Sequence, residues 1–310
     1  VSQKDVQTRI GSVKNIQKIT RAMEMVAAAR LRKAEQRIAA LRPYADALRR
    51  MTRQAAEAAG NVPSQPILQE HDSVDTVGLV LVTSDRGLAG AFNSQILRAG
   101  IRAAAEHERE GRKAAYFAVG RRGASSLTFR AADPEESFTG FTDRPSYADA
   151  RAIAQSVMTA YIDGKVDRVE IFYNGFVSAM TQNSRRETLL PLQQADVLGD
   201  EDEGDGDGGG DGASEEEKAR KRDKRALVEY EPDPEEILKR LIPDYVEISI
   251  YRALLESTAS EHGARMTAMR SASDNAKEII EDLTLEMNRA RQAEITQEIM
   301  EVVAGAEALG

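Results

Sequence analysis

Helical periodicity at both ends of this chain is sustained for longer than a globule of its size can contain. The first sixty residues hold one proline and only two glycines, Gly11 and Gly60. Within them Ala27, Leu31, Ala34, Ile38, Leu41, Ala45 and Leu48 recur at alternating steps of four and three, the seam of a coiled coil. Upstream, Ile16, Ile19, Met23 and Val26 continue an apolar stripe in a slightly different phase. Pro43 predicts a kink, because it removes one backbone donor and crowds the preceding turn. Gly60 and Pro63 predict the end.

A second helix is expected from about Pro243, a residue suited to a first turn, to Leu309. Ala276, Ile280, Leu283, Met287 and Ala290 step four and three; the rhythm slips and resumes at Ile295, Ile299, Val302, Ala306 and Leu309. At about 1.5 Å per residue the two helices would be roughly 85 and 100 Å long. Both must protrude, most simply packed antiparallel on each other. Residues 1–60 carry thirteen Lys/Arg against five Asp/Glu, and residues 257–310 carry five against ten. Opposite charge beside two apolar seams favours their pairing with each other over self-association. Two amphipathic helices of an ordinary bundle are the alternative, and their lengths argue against it.

The middle of the chain has a different pattern. Thr76 to Ser84 is a β-branched run suited to a buried strand, followed by a helix from about Phe92 to Glu110 and a strand at Ala114 to Val119. Ser146 and Asp149 form a capping box for a helix to about Ile162, closed by Gly164. Val166 to Tyr173, Thr188 to Leu192 and Ala226 to Tyr230 are further expected strands, and Asp233, Pro234 and Glu236 start a short helix. Alternating strands and helices predict an open α/β, Rossmann-like sheet. The expected organisation is a shaft helix over 1–60, an α/β domain over 70–242 and a second shaft helix over 243–310.

Residues 199–225 interrupt that domain. The first part, 199–217, holds ten acidic side chains and no basic one, so the formal charge of −9 leaves −9 − (−10) = +1 for the rest of the chain. A glycine-rich acidic stretch cannot bury enough apolar surface to offset its ordering entropy, and a disordered surface insertion is expected. Either a tolerated insertion between strands or a charged regulatory arm fits that composition.

Composition excludes several chemistries. The chain has no cysteine, which rules out disulfides, thiol catalysis and cysteine-ligated zinc. His71, His107 and His262 lie too far apart to form a metal motif. No apolar run approaches the roughly 18 residues of a membrane span, and the basic N-terminal stretch lacks the apolar core of a signal peptide. A cytosolic location, or a peripheral one at a membrane through partners, is expected. Arg30, Arg32 and Lys33 lack the interleaved aromatics that stack nucleic-acid bases. Paired carboxylates such as Asp133 with Glu135 and Glu136, or Glu298 with Glu301, lie on loop or helix faces without an apolar setting to raise a pKa.

One turn has the position of a ligand site. Ser84 to Asn93 (SDRGLAGAFN) follows a strand and precedes a helix, where glycine-rich turns cradle phosphates. It lacks the three-glycine spacing and the Walker lysine. A tight turn built on Asp85, Gly87 and Gly90 is the structural alternative.

Three separated segments carry a resemblance. Ser12 to Lys33 (SVKNIQKITRAMEMVAAARLRK) resembles the N-terminal shaft helix of ATP synthase gamma subunits. Ser84 to Gly90 is similar to that family's mid-domain turn, where the family often has cysteine at the place of Ala89. Arg291 to Ala306 (RQAEITQEIMEVVAGA) is similar to its C-terminal signature. Tyr230 to Asp233, Leu255 to Ser257 and Ser273 to Asn275 add weaker agreement.

The resemblance implies a non-catalytic central-stalk rotor of a bacterial F-type ATP synthase. Its paired terminal helices would form the axle inside a hexamer of alpha and beta subunits. The α/β domain would stand on the membrane-embedded c-subunit ring beside the epsilon subunit. The chain would then lie peripherally at the cytoplasmic face of the cell membrane and hold no cofactor, nucleotides belonging to alpha and beta. On the same resemblance Arg291, Gln292, Thr296 and Glu298 would be polar contacts to the hexamer. Ile299, Val302 and Val303 would lie near its apolar bearing, and Lys18, Arg21 and Met23 would face the moving lever of a beta subunit.

Overall fold

The computed structural model describes residues 3–59, 65–130, 132–192 and 233–307. The acidic insertion, the expected strand at Ala226 to Tyr230, and Leu309 lie outside the described residues. Two helices, α1 (Gln3–Ala59) and α5 (Pro234–Glu307), dominate the molecule. With 57 and 74 residues they are about 85 and 110 Å long at ~1.5 Å per residue.

The two helices pair antiparallel. The Gln3 amide donates to Glu294 Oε1, Gln17 Nε2 donates to the Ser273 carbonyl, and Arg270 pairs with Glu24 at 2.9 Å. Ala27, Leu31, Ala34 and Leu48 are buried along the expected seam, and Leu31 and Ala34 pack on Ala259. Toward the N-terminus Val6 and Ile10 pack on Leu283.

The upstream phase differs from expectation. Ile16, Ile19 and Val26 are exposed, while Gln17, Thr20 and Glu24 continue the four-three rhythm through to Ala27. The seam is polar there, held by hydrogen bonds and an ion pair. The apolar stripe flanks it.

Between α1 and α5 lies a five-stranded sheet: β1 (Thr76–Val82), β2 (Lys113–Val119), β3 (Glu136–Phe138), β4 (Arg168–Phe176) and β5 (Gln182–Leu190), in the order β3-β2-β1-β4-β5. The first four strands are parallel, and β5 runs antiparallel to β4. Helices α2 (Phe92–Arg109) and α3 (Arg121–Phe129) cover one face; α4 (Tyr147–Ile162) and the first part of α5 cover the other. The continuous apolar run of β1 follows from this double cover. Val77, Leu79 and Leu81 pack toward α2 and α3, while Val80 and Val82 pack toward α4 and α5. Gly100 lets α2 approach closely, since a Cβ there would lie 2.4 Å from Leu81 Cδ2.

The capping box at Ser146 and Asp149 is present, and α4 ends at Ile162 as its sequence predicts. Three short elements, a 3-10 turn at Pro66–Leu68, α3 and β3, have no counterpart in the expectation from sequence. The C-terminal helix begins at Pro234, not at Pro243, which lies inside it. Leu238, Ile242 and Val246, on either side of Pro243, are all fully buried in the sheet's core. That packing outweighs the roughly 3 kcal/mol that an interior proline costs.

Candidate functional site

In an open parallel sheet the natural ligand position is the crevice at the carboxyl ends of the strands, where the strand order reverses. Here that point lies between β1 and β4, and the Ser84–Asn93 turn leads out of β1 into it. The turn is closed by its own side chains. Asp85 accepts hydrogen bonds from the backbone amides of Arg121 (3.0 Å), Gly140 (2.9 Å) and Thr142 (3.1 Å), and from the Thr142 hydroxyl (3.0 Å). Burial alone would raise the Asp85 carboxyl, but these donors hold it below the usual carboxylate range. The Ser84 amide donates to Asn93 Oδ1. The Asp85 carboxylate thus ties the turn to the start of α3 and to the loop after β3. Gly90 takes φ +55° and Leu88 φ +64°, the left-handed geometry of a tight turn, with the Leu88 side chain left exposed.

The shaft packs against the crevice. Arg265 of α5 donates to the Gly87 carbonyl at 3.1 Å, and the Ala268 methyl lies 3.9 Å from where a side chain at Gly90 would begin. Thr258 donates to the Thr142 carbonyl, and a Cβ at Gly263 would meet the Ala179 carbonyl oxygen at 2.9 Å. From α1, Arg30 forms an ion pair with Asp143, which also faces His262 Nε2 at 3.8 Å. Glu261 and Arg265, one turn apart on α5 and almost wholly buried, pair at 2.6 Å. Both shaft helices thus meet the domain's loops: Arg265 at the loop after β1, Arg30 at the loop after β3, and Gly263 by close packing on Ala179 after β4. The Arg30–Asp143 pair that crosses from α1 to the domain is partly exposed, at 39% and 31%, whereas the Glu261–Arg265 pair is buried within α5.

The sequence-expected contact residues fall in two zones. Met23 is half-buried and lines a groove of about 560 Å³ with Ile19, Val26, Arg86 and Leu88, so the α1 stripe and the Gly87 turn share one surface. Lys18 and Arg21 are exposed and lie outside that lining. Arg291, Gln292, Thr296, Glu298, Ile299, Val302 and Val303 are all exposed near the far end of α5. Because α1 starts opposite Glu294, the last turns of α5 run on without a partner helix among the described residues. Ile299 lies 29 residues beyond Arg270, the partner of Glu24, which separates the two zones by about 45 Å along the shaft. Sequence reasoning missed the joint. Glu261 and Arg265 at i, i+4 in a stretch of small side chains were its available signal.

Comparison with known proteins agrees with this architecture. The family model described as ATP synthase matches residues 2–309. The ATP synthase gamma chain of Streptomyces avermitilis is 44% identical over 305 residues, covering 97% of this chain and 94% of that protein. The ATP synthase gamma chain of Desulfitobacterium hafniense is 42% identical over 308 residues, covering 99% of each. Among solved structures, a chain of the Tetrahymena thermophila mitochondrial ATP synthase central stalk and c-ring is 27% identical with a TM-score of 0.58, covering 82% of this chain and 99% of that one. A chain of the Euglena gracilis mitochondrial ATP synthase shares the fold at 19% identity and a TM-score of 0.65, covering 99% of this chain and 94% of that one. The chain belongs to the ATP synthase gamma chain family.

Proposed function

We propose that this chain is the central-stalk rotor of a bacterial F-type ATP synthase and performs no chemistry itself. One observation carries the mechanical half of this reading: the shaft packs against the crevice that binds a ligand in a doubly wound sheet. The sheet domain grips both helices at the ends of three of its strands, so a force on the domain's rim is passed to the shaft as a turning moment. The α1–α5 pair, over 50 residues long in each helix, passes that moment onward. Its partners are the alpha and beta subunits around the shaft, with the epsilon subunit and the c-subunit ring beside the sheet domain. No described helix is long and apolar enough to cross a membrane. The chain is held peripherally, at the cytoplasmic face of the cell membrane, through the complex. Residues 1–60 and 243–310 act as the shaft and 70–242 as the domain that receives the torque, the first turns of α5 belonging to both.

The contact residues follow from the two zones. Lys18, Arg21 and Met23 face a moving lever of the beta subunit. Arg291, Gln292, Thr296 and Glu298 meet the hexamer as polar contacts, and Ile299, Val302 and Val303 run in its apolar bearing. Asp85, Gly87 and Gly90 serve as a structural turn. The chain has no cysteine, so Met23→Cys places a unique thiol in it. In membrane vesicles, oxidative cross-linking of that thiol to a cysteine on a beta subunit should abolish proton-driven ATP synthesis, and reduction should restore it. Synthesis that continues in the cross-linked complex overturns the rotor reading.

A further inference from the structure

On the sheet face away from the shaft joint, α2 and α3 leave an open groove of about 900 Å³ between them. Its floor is apolar, formed by Leu97, Ile101 and Ala105 at steps of four along α2, with Phe129 from α3. Phe129 is 92% exposed. Three arginines of α2 (Arg98, Arg102 and Arg109) line one wall, and Arg130 lines the other; Arg122 also borders it, with its guanidinium reaching toward the Gly87 turn and the Met23 groove. No acidic side chain lines it. None of these five guanidinium groups has a carboxylate partner among the described residues; Arg98 Nε donates only to the Ser94 carbonyl of its own helix. Four other arginines packed on the domain, Arg168, Arg185, Arg186 and Arg252, each face a glutamate.

We infer that this groove is a docking site for an acidic amphipathic helix of another subunit of the assembly. The apolar floor extends over two turns of α2, about 12 Å, which matches two to three turns of a helix laid between α2 and α3 with anchors at i, i+3/i+4 and i+7. Arginines on both walls require Asp or Glu on both flanks of that helix, and burying the floor around them strengthens each pair. A flat anionic membrane surface fits less well, because it leaves the concave floor and Phe129 uncovered. The chain's own acidic stretch at 199–217 matches the charge, but its one apolar side chain is the methyl of Ala213, so it offers nothing to the floor. This surface rests on the chain working inside an assembly and adds a contact that neither shaft zone supplies.

The test uses the whole complex, with Phe129 replaced by the photo-cross-linking residue benzoylphenylalanine. The expected product joins position 129 to a peptide of another subunit with acidic residues flanking a helical apolar stripe. Arg98→Glu with Arg102→Glu should lower its yield at least about tenfold while the complex still co-purifies, and Arg98→Lys with Arg102→Lys should retain it. Cross-linking to residues 199–217 of the same chain, to lipid, or to nothing in an intact complex overturns the inference, as does a yield indifferent to charge reversal. Co-purification of the other subunits is scored separately, so failure of the rotor reading is distinguishable from failure of this one.

Discussion

Glu261 and His262 meet at the joint with opposite protonation demands. Burial pushes the Glu261 carboxyl up to about 7, with Arg265 opposing part of the shift. Burial also draws the His262 imidazole down to about 4 against the pull of Asp143. A carboxyl raised on folding contributes stability that is full below its ordinary 4.5 and is lost as pH rises through about 7. The lowered imidazole does the reverse: its contribution is present above 6.5 and is lost as pH falls to about 4. The two slopes oppose each other up to 6.5, and above it only the Glu261 loss continues. Glu261→Gln keeps the shape and removes that loss, so its melting temperature should gain on wild type from about pH 5 to pH 8. At roughly 1.4 kcal/mol per pKa unit, the gain corresponds to a few kcal/mol. Parallel melting curves for the two proteins across that range would refute this assignment. None of this was legible in the sequence. Charged residues on a helix read as solvated unless the neighbours that bury them are known, and the Gly87 turn that meets Arg265 beside them is 178 positions from it.

At the scale of elements, the same helix carries seam positions that stabilise the chain and surface positions that do not. Leu31→Ala empties a buried site against Ala259 and should cost the isolated chain about 2–5 kcal/mol in chemical denaturation. Ile299→Ala, at a side chain 57% exposed, should change that stability by no more than about 0.5 kcal/mol. In the complex the ranking should invert for function, with Ile299→Ala lowering ATP synthesis in vesicles while folding is unaffected. An Ile299→Ala chain as destabilised as Leu31→Ala would mean the tip packs within this chain. Apolar spacing made both helices and the lower seam legible, because there the buried positions are also the apolar ones. It failed at residues 16–26, where Gln17, Thr20 and Glu24 occupy the seam and the apolar residues face outward. The short α3 was hidden by its composition, with a glycine and two serines in nine residues and too few turns to show a period.

Across the whole molecule, the sheet domain and the shaft are one mechanical unit joined at the carboxyl ends of the strands. The acidic insertion lies outside that unit in sequence terms, between the end of β5 and the start of α5. Deleting Gly199 to Lys224 should therefore leave the melting temperature and co-assembly unchanged; loss of assembly would mark the insertion as an interface. The overall architecture was legible because helix length alone forbids a globule. Which loops grip the shaft was not, since that depends on contacts between residues more than a hundred positions apart. The most direct measurement places a bead on Glu108→Cys, an exposed position at the end of α2, with the catalytic hexamer fixed to a surface and supplied with ATP. The bead should turn stepwise in one direction, because the shaft turns the sheet domain with it. A bead that stays still or only fluctuates while ATP is hydrolysed would contradict the rotor account.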